Sequence, residues 1–130
     1  MCKLSTVSTN YGEEVSVAEI KKEYIDNIIH AAEMCNKIDE IILFGSSIEE
    51  RCTVNSDIDI AVISNVSRAK LFNDNSYRTF QNAVYCKDIL QNYDILQFNS
   101  RNELSKKKSP VCGEINSKGK SIYRRCPTNV

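Results

Sequence analysis

An apolar run, Ile41-Ile42-Leu43-Phe44, stops at Gly45-Ser46-Ser47, and a mostly polar stretch leads into a second run, Ile58-Asp59-Ile60-Ala61-Val62-Ile63, with Asp57 just ahead of it. Short apolar runs closed by a glycine-serine break read as buried strands. The two aspartates are the constraint. Side chains two apart on a strand share a face, with Cα atoms about 6.6 Å apart, so Asp57 and Asp59 point the same way. A carboxylate inside so apolar a run is costly unless it is paired or holds a metal. Oxygen donors set like this suit Mg²⁺ or Mn²⁺. A Gly-Ser turn that opens a helix offers free backbone N–H groups to a phosphate. Metal donors and a phosphate cradle on neighbouring strands together make a nucleotide-handling site.

The pattern resembles the nucleotidyltransferase superfamily typified by DNA polymerase beta, and within it the minimal nucleotidyltransferases. Gly45 and Ser46 match the family's Gly-Ser element, and Ser56-Asp57-Ile58-Asp59 its Asp-x-Asp strand. Asp94, in Asn92-Tyr93-Asp94-Ile95-Leu96, matches the third acid on a later strand. The stretch from Ile115 through Gly119 to Tyr123 looks like the helix, glycine and last strand that close such domains. One departure is Glu50, where the family often has a second glycine; it alters the expected shape of the phosphate loop. The resemblance covers roughly residues 38–124. It implies the nucleotidyltransferase fold, an α/β (α+β) domain with a small mixed β-sheet flanked by helices. It further implies Asp57, Asp59 and Asp94 as catalytic residues and ligands of Mg²⁺ (or Mn²⁺), and Gly45, Ser46 and Ser56 as nucleotide-binding.

Composition sets outer bounds. A chain of 130 residues reads as one domain. Its 17 basic and 17 acidic residues cancel, so there is no global electrostatic footprint for nucleic acid. Lys106-Lys107-Lys108 and Arg124-Arg125 read as solvated loops. No signal peptide is visible, and no apolar run approaches the roughly 20 residues of a membrane span, which reads as a cytoplasmic protein. The six cysteines contain no Cys-x-x-Cys pair, and His30 is the only histidine, so no zinc-finger spacing can be assembled. Cys35, Cys86 and Cys112 fall in expected helices and read as small core residues, whereas Cys52 reads as a loop residue open to solvent.

Along the chain, residues 1–14 offer either a marginal strand or a loose arm. Ser16-Val17-Ala18-Glu19 has the form of a capping box, and Val17, Ile20, Tyr24, Ile28, Ala31 and Cys35 recur at helical steps to about residue 37. A strand over 40–44 follows, then a short helix near 46–51 whose Ser46/Glu49 and Ser47/Glu50 pairs read as capping boxes that compete with a phosphate for the same N–H groups. Residues 64–75 read as a loop with a helical turn, and Ser76 as the cap of a helix to about Leu90. In the strand 93–98, Asp94 alternates with Leu96 and Phe98, a carboxylate on an apolar face. Ser109-Pro110 opens a last helix, Gly119 ends it, and a strand over 120–124 closes the chain.

The resemblance implies transfer of a nucleoside monophosphate, AMP first, from a nucleoside triphosphate to a hydroxyl, with pyrophosphate released. In the family setting a helical HEPN-type protein is the expected partner, as in toxin–antitoxin modules. Besides an active transferase, the sequence admits a regulatory binding partner of such a toxin and an inactive nucleotide-binding relic. Nucleic-acid polymerisation is disfavoured, since no basic groove or template-binding segment is visible. With residues 40–98 committed to the site and its sheet, no segment is left to enclose a small acceptor in a pocket of about 300–1,000 Å³. A flat open side meeting a partner protein or a second copy of the chain is therefore expected.

Overall fold

The computed structural model describes residues 1–125. Strands β3 (Ile38–Phe44), β4 (Ile58–Ser64), β5 (Tyr93–Phe98) and β6 (Lys120–Arg124) form one sheet in the order β5-β4-β3-β6. β3 runs antiparallel to both β4 and β6, while β4 and β5 are parallel. Parallel neighbours need a crossover, and here it carries α2 (Arg68–Phe72) and α3 (Asn75–Tyr85).

Period-two alternation sorts the sheet residues onto two faces. Ile41, Leu43, Ile58, Ile60 and Val62 pack under α1 (Lys22–Ala32) and α3, meeting Ile25, Ile28, Tyr77, Phe80 and Val84. On the other face Ile42, Phe44, Ala61, Ile63 and Phe98 meet Leu104 of α4 (Arg101–Lys106) and Cys112 and Ile115 of α5 (Pro110–Lys118). Both faces of the central strands are covered, which is why they read as nearly continuous apolar runs.

The N-terminal segment departs from the expected helix. Residues Leu4–Ser8 (β1) and Glu14–Ala18 (β2) form an antiparallel hairpin, a separate two-stranded sheet. Val15 and Val17 point inward from β2 in alternation with exposed neighbours, and the strand period and β-branching outweigh the Ser16/Glu19 capping pattern. A 3-10 turn, Glu19–Lys21, precedes α1, which begins without any side-chain cap. Of the residues expected on its apolar stripe, Ile20 is exposed; Ile25, Ile28, Ile29, Ala31 and Ala32 are the buried ones.

α3 is capped by Asp74, not Ser76. The Asp74 carboxylate accepts from the Ser76 hydroxyl, which does most to hold its pKa down, and from the backbone N–H groups of Ser76 and Tyr77 at 2.9 and 3.1 Å, which add to it. The helix stops at Tyr85, leaving Cys86, Ile89 and Leu90 exposed. Cys86 is thus no core residue, and Cys52, expected in solvent, is buried; Cys35 and Cys112 are buried as expected. Cys126 lies outside the described residues. α4 has no counterpart in the sequence reading: Ser100 caps it, and it includes Lys106. Of the other two expected loop lysines, Lys107 lies 5.7 Å from the Phe98 ring centroid and pairs with Glu103.

α5 opens as expected, with the Ser109 hydroxyl accepting from Cys112 N–H and Pro110 in the first turn. Gly119 ends it, but not in a left-handed conformation: its backbone is extended, with φ −60° and ψ 146°. Glycine is needed there for space, because a Cβ would come within 2.5 Å of Ile115 O and 2.6 Å of Ile42 Cγ2. Gly119→Ala should lower stability by about 1–3 kcal/mol, the usual cost of overpacking, measured by denaturant unfolding. An unchanged unfolding midpoint would show that α5 can shift freely on β3.

Candidate active site

β3, β4 and β5 deliver the site by register. Phe44 at the end of β3 pairs with Asp59 on β4, and Asp59 pairs with Asp94 on β5. Residues directly paired across strands share a face, so the Asp59 and Asp94 side chains stand side by side. Alternation from Ala61 and Ile63 puts Asp59 on the α4–α5 face, and Leu96 and Phe98 put Asp94 on the same one. Asp57, one residue before β4, completes the row at the sheet's end.

Gly45 follows Phe44 and turns the chain into the 3-10 segment Gly45–Ile48 with φ +75°. That left-handed value favours glycine. So does crowding, since a Cβ on Gly45 would land on the Asp59 carboxylate. The glycine-serine break and the aspartate motif are therefore halves of a single contact. Ser46 is half-exposed beside it, whereas Ser47 is buried with its hydroxyl unpaired. The expected capping boxes do not form: the turn starts with no side-chain cap, and Glu49 instead accepts from Arg51 Nε and Nη2 at 3.1 and 3.0 Å. That bond holds the Glu49 carboxyl below its usual range and leaves the N–H groups of the turn uncontested by it. Ser56 is occupied within its own loop, where its hydroxyl accepts from Thr53 N–H at 2.9 Å.

The electrostatics follow from this crowding. Burial, then the charges of Asp94, Asp57 and Glu114, push the Asp59 carboxyl up to about 6; Arg51 pulls the other way more weakly. Asp57 and Asp94 are exposed and Asp59 is half-buried. None of the three makes an ion pair or a side-chain hydrogen bond among the described residues. Among those residues no three or more His, Cys, Asp or Glu side chains are grouped so that they alone could hold a metal ion. The donor chemistry still fits a hard divalent cation: three unpaired carboxylates on one face, one of them destabilised by the charge of the others.

The polymerase beta nucleotidyltransferase family matches residues 26–128, most of the chain. The chain belongs to that family. The α/β sheet with helices on both faces is the fold this nucleotidyltransferase was expected to have. A crystal structure of a mutant of the toxin–antitoxin MntA–HpeT is similar in fold, at a TM-score of 0.50 and 18% identity, over 78% of this chain and 73% of that one. No curated protein matches the sequence. No described helix of this nucleotidyltransferase is long and apolar enough to cross a membrane.

An open cleft of about 360 Å³ lies on the carboxylate face, lined by Leu96, Phe98, Val111 and Cys112 with Arg68 and Lys107 among them. It lies between the edge strand β5, Arg68 of α2 and the start of α5, with Lys107 from the link that follows α4. The expected flat acceptor side concerns the nucleotide site, and this cleft on the same sheet face is lined by none of Gly45, Ser46, Asp57, Asp59 and Asp94. Sequence reasoning passed over Arg51 and Glu114, whose charges reach Asp59, and Lys21, whose charge reaches Asp57. Arg51 lay in view as a cation between the two motifs; Glu114 and Lys21 are brought in by the fold from distant positions.

Asp59 gives a pH test with a definite sign. Its folded pKa exceeds the ordinary 3.8, so the folded state binds this proton more tightly than the unfolded chain does. The favourable contribution is full below the unfolded value and is lost as pH rises towards about 6. In chelator-treated buffer, Asp59→Asn should therefore raise the melting temperature relative to wild type at pH 7.5 and much less at pH 4. Equal differences at both pH values would contradict the crowded-carboxylate account.

Proposed function

We propose that the chain transfers a nucleoside monophosphate, AMP in the first instance, from a nucleoside triphosphate to a hydroxyl group on a partner protein. The observation that carries this reading is the register that puts Asp59 beside Asp94 and against Gly45. In the reaction the acceptor oxygen bonds to the α-phosphorus, the bond to the β-phosphate bridging oxygen breaks, and pyrophosphate leaves with that electron pair. Gly45 N–H and the Ser46 hydroxyl hold the β- and γ-phosphates in the uncontested turn. Asp57 and Asp59 hold Mg²⁺ or Mn²⁺, and Asp94 contributes to the same set while taking the acceptor's proton. The bound cation supplies neutralisation of the charge on the transferring and leaving phosphate oxygens. Catalysis on this reading is positioning and electrostatics rather than covalent chemistry.

The partner we propose is a helical HEPN-type protein of a toxin–antitoxin pair, with the chain as antitoxin. Support comes from the fold shared with the MntA–HpeT structure, whose name is that of a toxin–antitoxin pair. The exposed positions of Asp57 and Asp94 also leave the acceptor side open to a macromolecule. A second copy of the chain is the other candidate for that side.

Asp57→Asn should abolish Mg²⁺-dependent ATP binding while the protein stays folded, as read by calorimetry. Unchanged Mg²⁺–ATP affinity would overturn the site. Asp94→Asn should cut turnover by about 10²-fold or more, the scale of a lost general base, with much less effect on nucleotide affinity. Labelled ATP incubated with the protein and a candidate HEPN-type partner gives the turnover readout. Wild-type turnover in Asp94→Asn would remove it from the catalytic set.

A further inference from the structure

Among the described residues Lys21 is the one buried lysine, with only 1% of its surface exposed. A buried ammonium is costly unless its hydrogens find acceptors, and a methionine of similar length would fill the same space without that cost. The Lys21 Nζ donates to Val54 O at 3.1 Å and to Gln91 Oε1 at 2.6 Å. Gln91, itself buried, turns its amide nitrogen onto Ser56 O at 3.1 Å and Asn92 O at 2.7 Å. Asn92 O also accepts from Ile58 N–H at 3.0 Å, where β4 and β5 begin to pair. Lys21 and Gln91 thus tie the loop that ends in Asp57 to the segment that leads into Asp94. Burial pulls the Lys21 pKa down, while Cys52 and Asp57 favour its charged form.

The same loop is held at its other end by the N-terminus, since Cys2 N–H donates to Glu50 O at 2.9 Å. Glu50 occupies the place where a second glycine was expected from the family resemblance. Loop 49–57 is therefore pinned at Glu50 and Val54 by residues 2 and 21, both ahead of the family match, which begins at residue 26. We infer that Lys21 is a positioning residue of the nucleotide site, fixing through Val54 and Gln91 the loop that delivers Asp57. The N-terminal hairpin that places Lys21 is then part of the site's machinery. This inference rests on the metal–nucleotide reading of Asp57.

The test uses the full chain with Lys21→Met, Gln91→Leu and the double variant. Amide hydrogen exchange, read without metal, should be roughly tenfold or more faster over residues 53–58 in each variant, while the central strands stay protected. Mn²⁺ affinity, read by paramagnetic relaxation, should fall about 10–100-fold, the usual effect of losing a group that orients a ligand. The double variant should be no weaker than the worse single one, because both act through one chain of hydrogen bonds. Should Lys21→Met fail to fold, Gln91→Leu carries both readouts. Unchanged loop exchange, additive losses, or Mn²⁺ affinity kept in Lys21→Met but lost in Asp57→Asn would each overturn the positioning role. Mn²⁺ affinity that Asp57→Asn also leaves intact would mark failure of the site reading itself, and this inference would fall with it.

Discussion

The contact between Gly45 and the Asp59 carboxylate is the constraint on which the rest depends. It requires β3 to end where β4 carries its acid, and it admits no side chain at residue 45. Once it is set, the β3–β4 register is fixed, and the parallel pairing of β4 with β5 brings Asp94 alongside. A slip of one residue in either pairing would turn the row of carboxylates to the α1–α3 face, into the larger core. The two apolar clusters are thus more than a source of stability. They hold three strands in the one register in which the acids meet.

That arrangement opposes stability locally. Asp59 is crowded by burial and by like charges, and no cation pairs directly with it among the described residues. Natural chains keep such unfavourable groupings where function needs them, and their cores offset the loss. Here the compensation comes from the apolar central strands and from the brace of Lys21 and Gln91 at the site's edge. The candidate site combines a crowded centre with a firmly held rim.

The sequence was most legible where two signals coincided. The central strands showed because their apolar runs were bounded by glycine, serine and aspartate. The candidate site residues Gly45, Ser46, Asp57, Asp59 and Asp94 stood out because each breaks a pattern its neighbours set. Legibility failed where a local signal competed with a distant one. Ser16 to Glu19 has the spacing of a capping box, but pairing with β1, invisible in local periodicity, makes residues 14–18 a strand. α4 went unseen because only Leu104 of its six residues is buried, so it has no apolar stripe to read. Lys21 carried no signal of its own in the sequence; only the fold shows that two oxygen acceptors from distant loops converge on it.

The most direct measurement is anomalous diffraction from crystals of the chain grown with Mn²⁺ and an ATP analogue whose α,β-bridge cannot be cleaved. The account predicts manganese bound by Asp57 and Asp59, with the β- and γ-phosphates against the Gly45–Ser46 turn and the α-phosphate facing Asp94. Manganese bound elsewhere, or a nucleotide seated away from Gly45 with these carboxylates untouched, would contradict it.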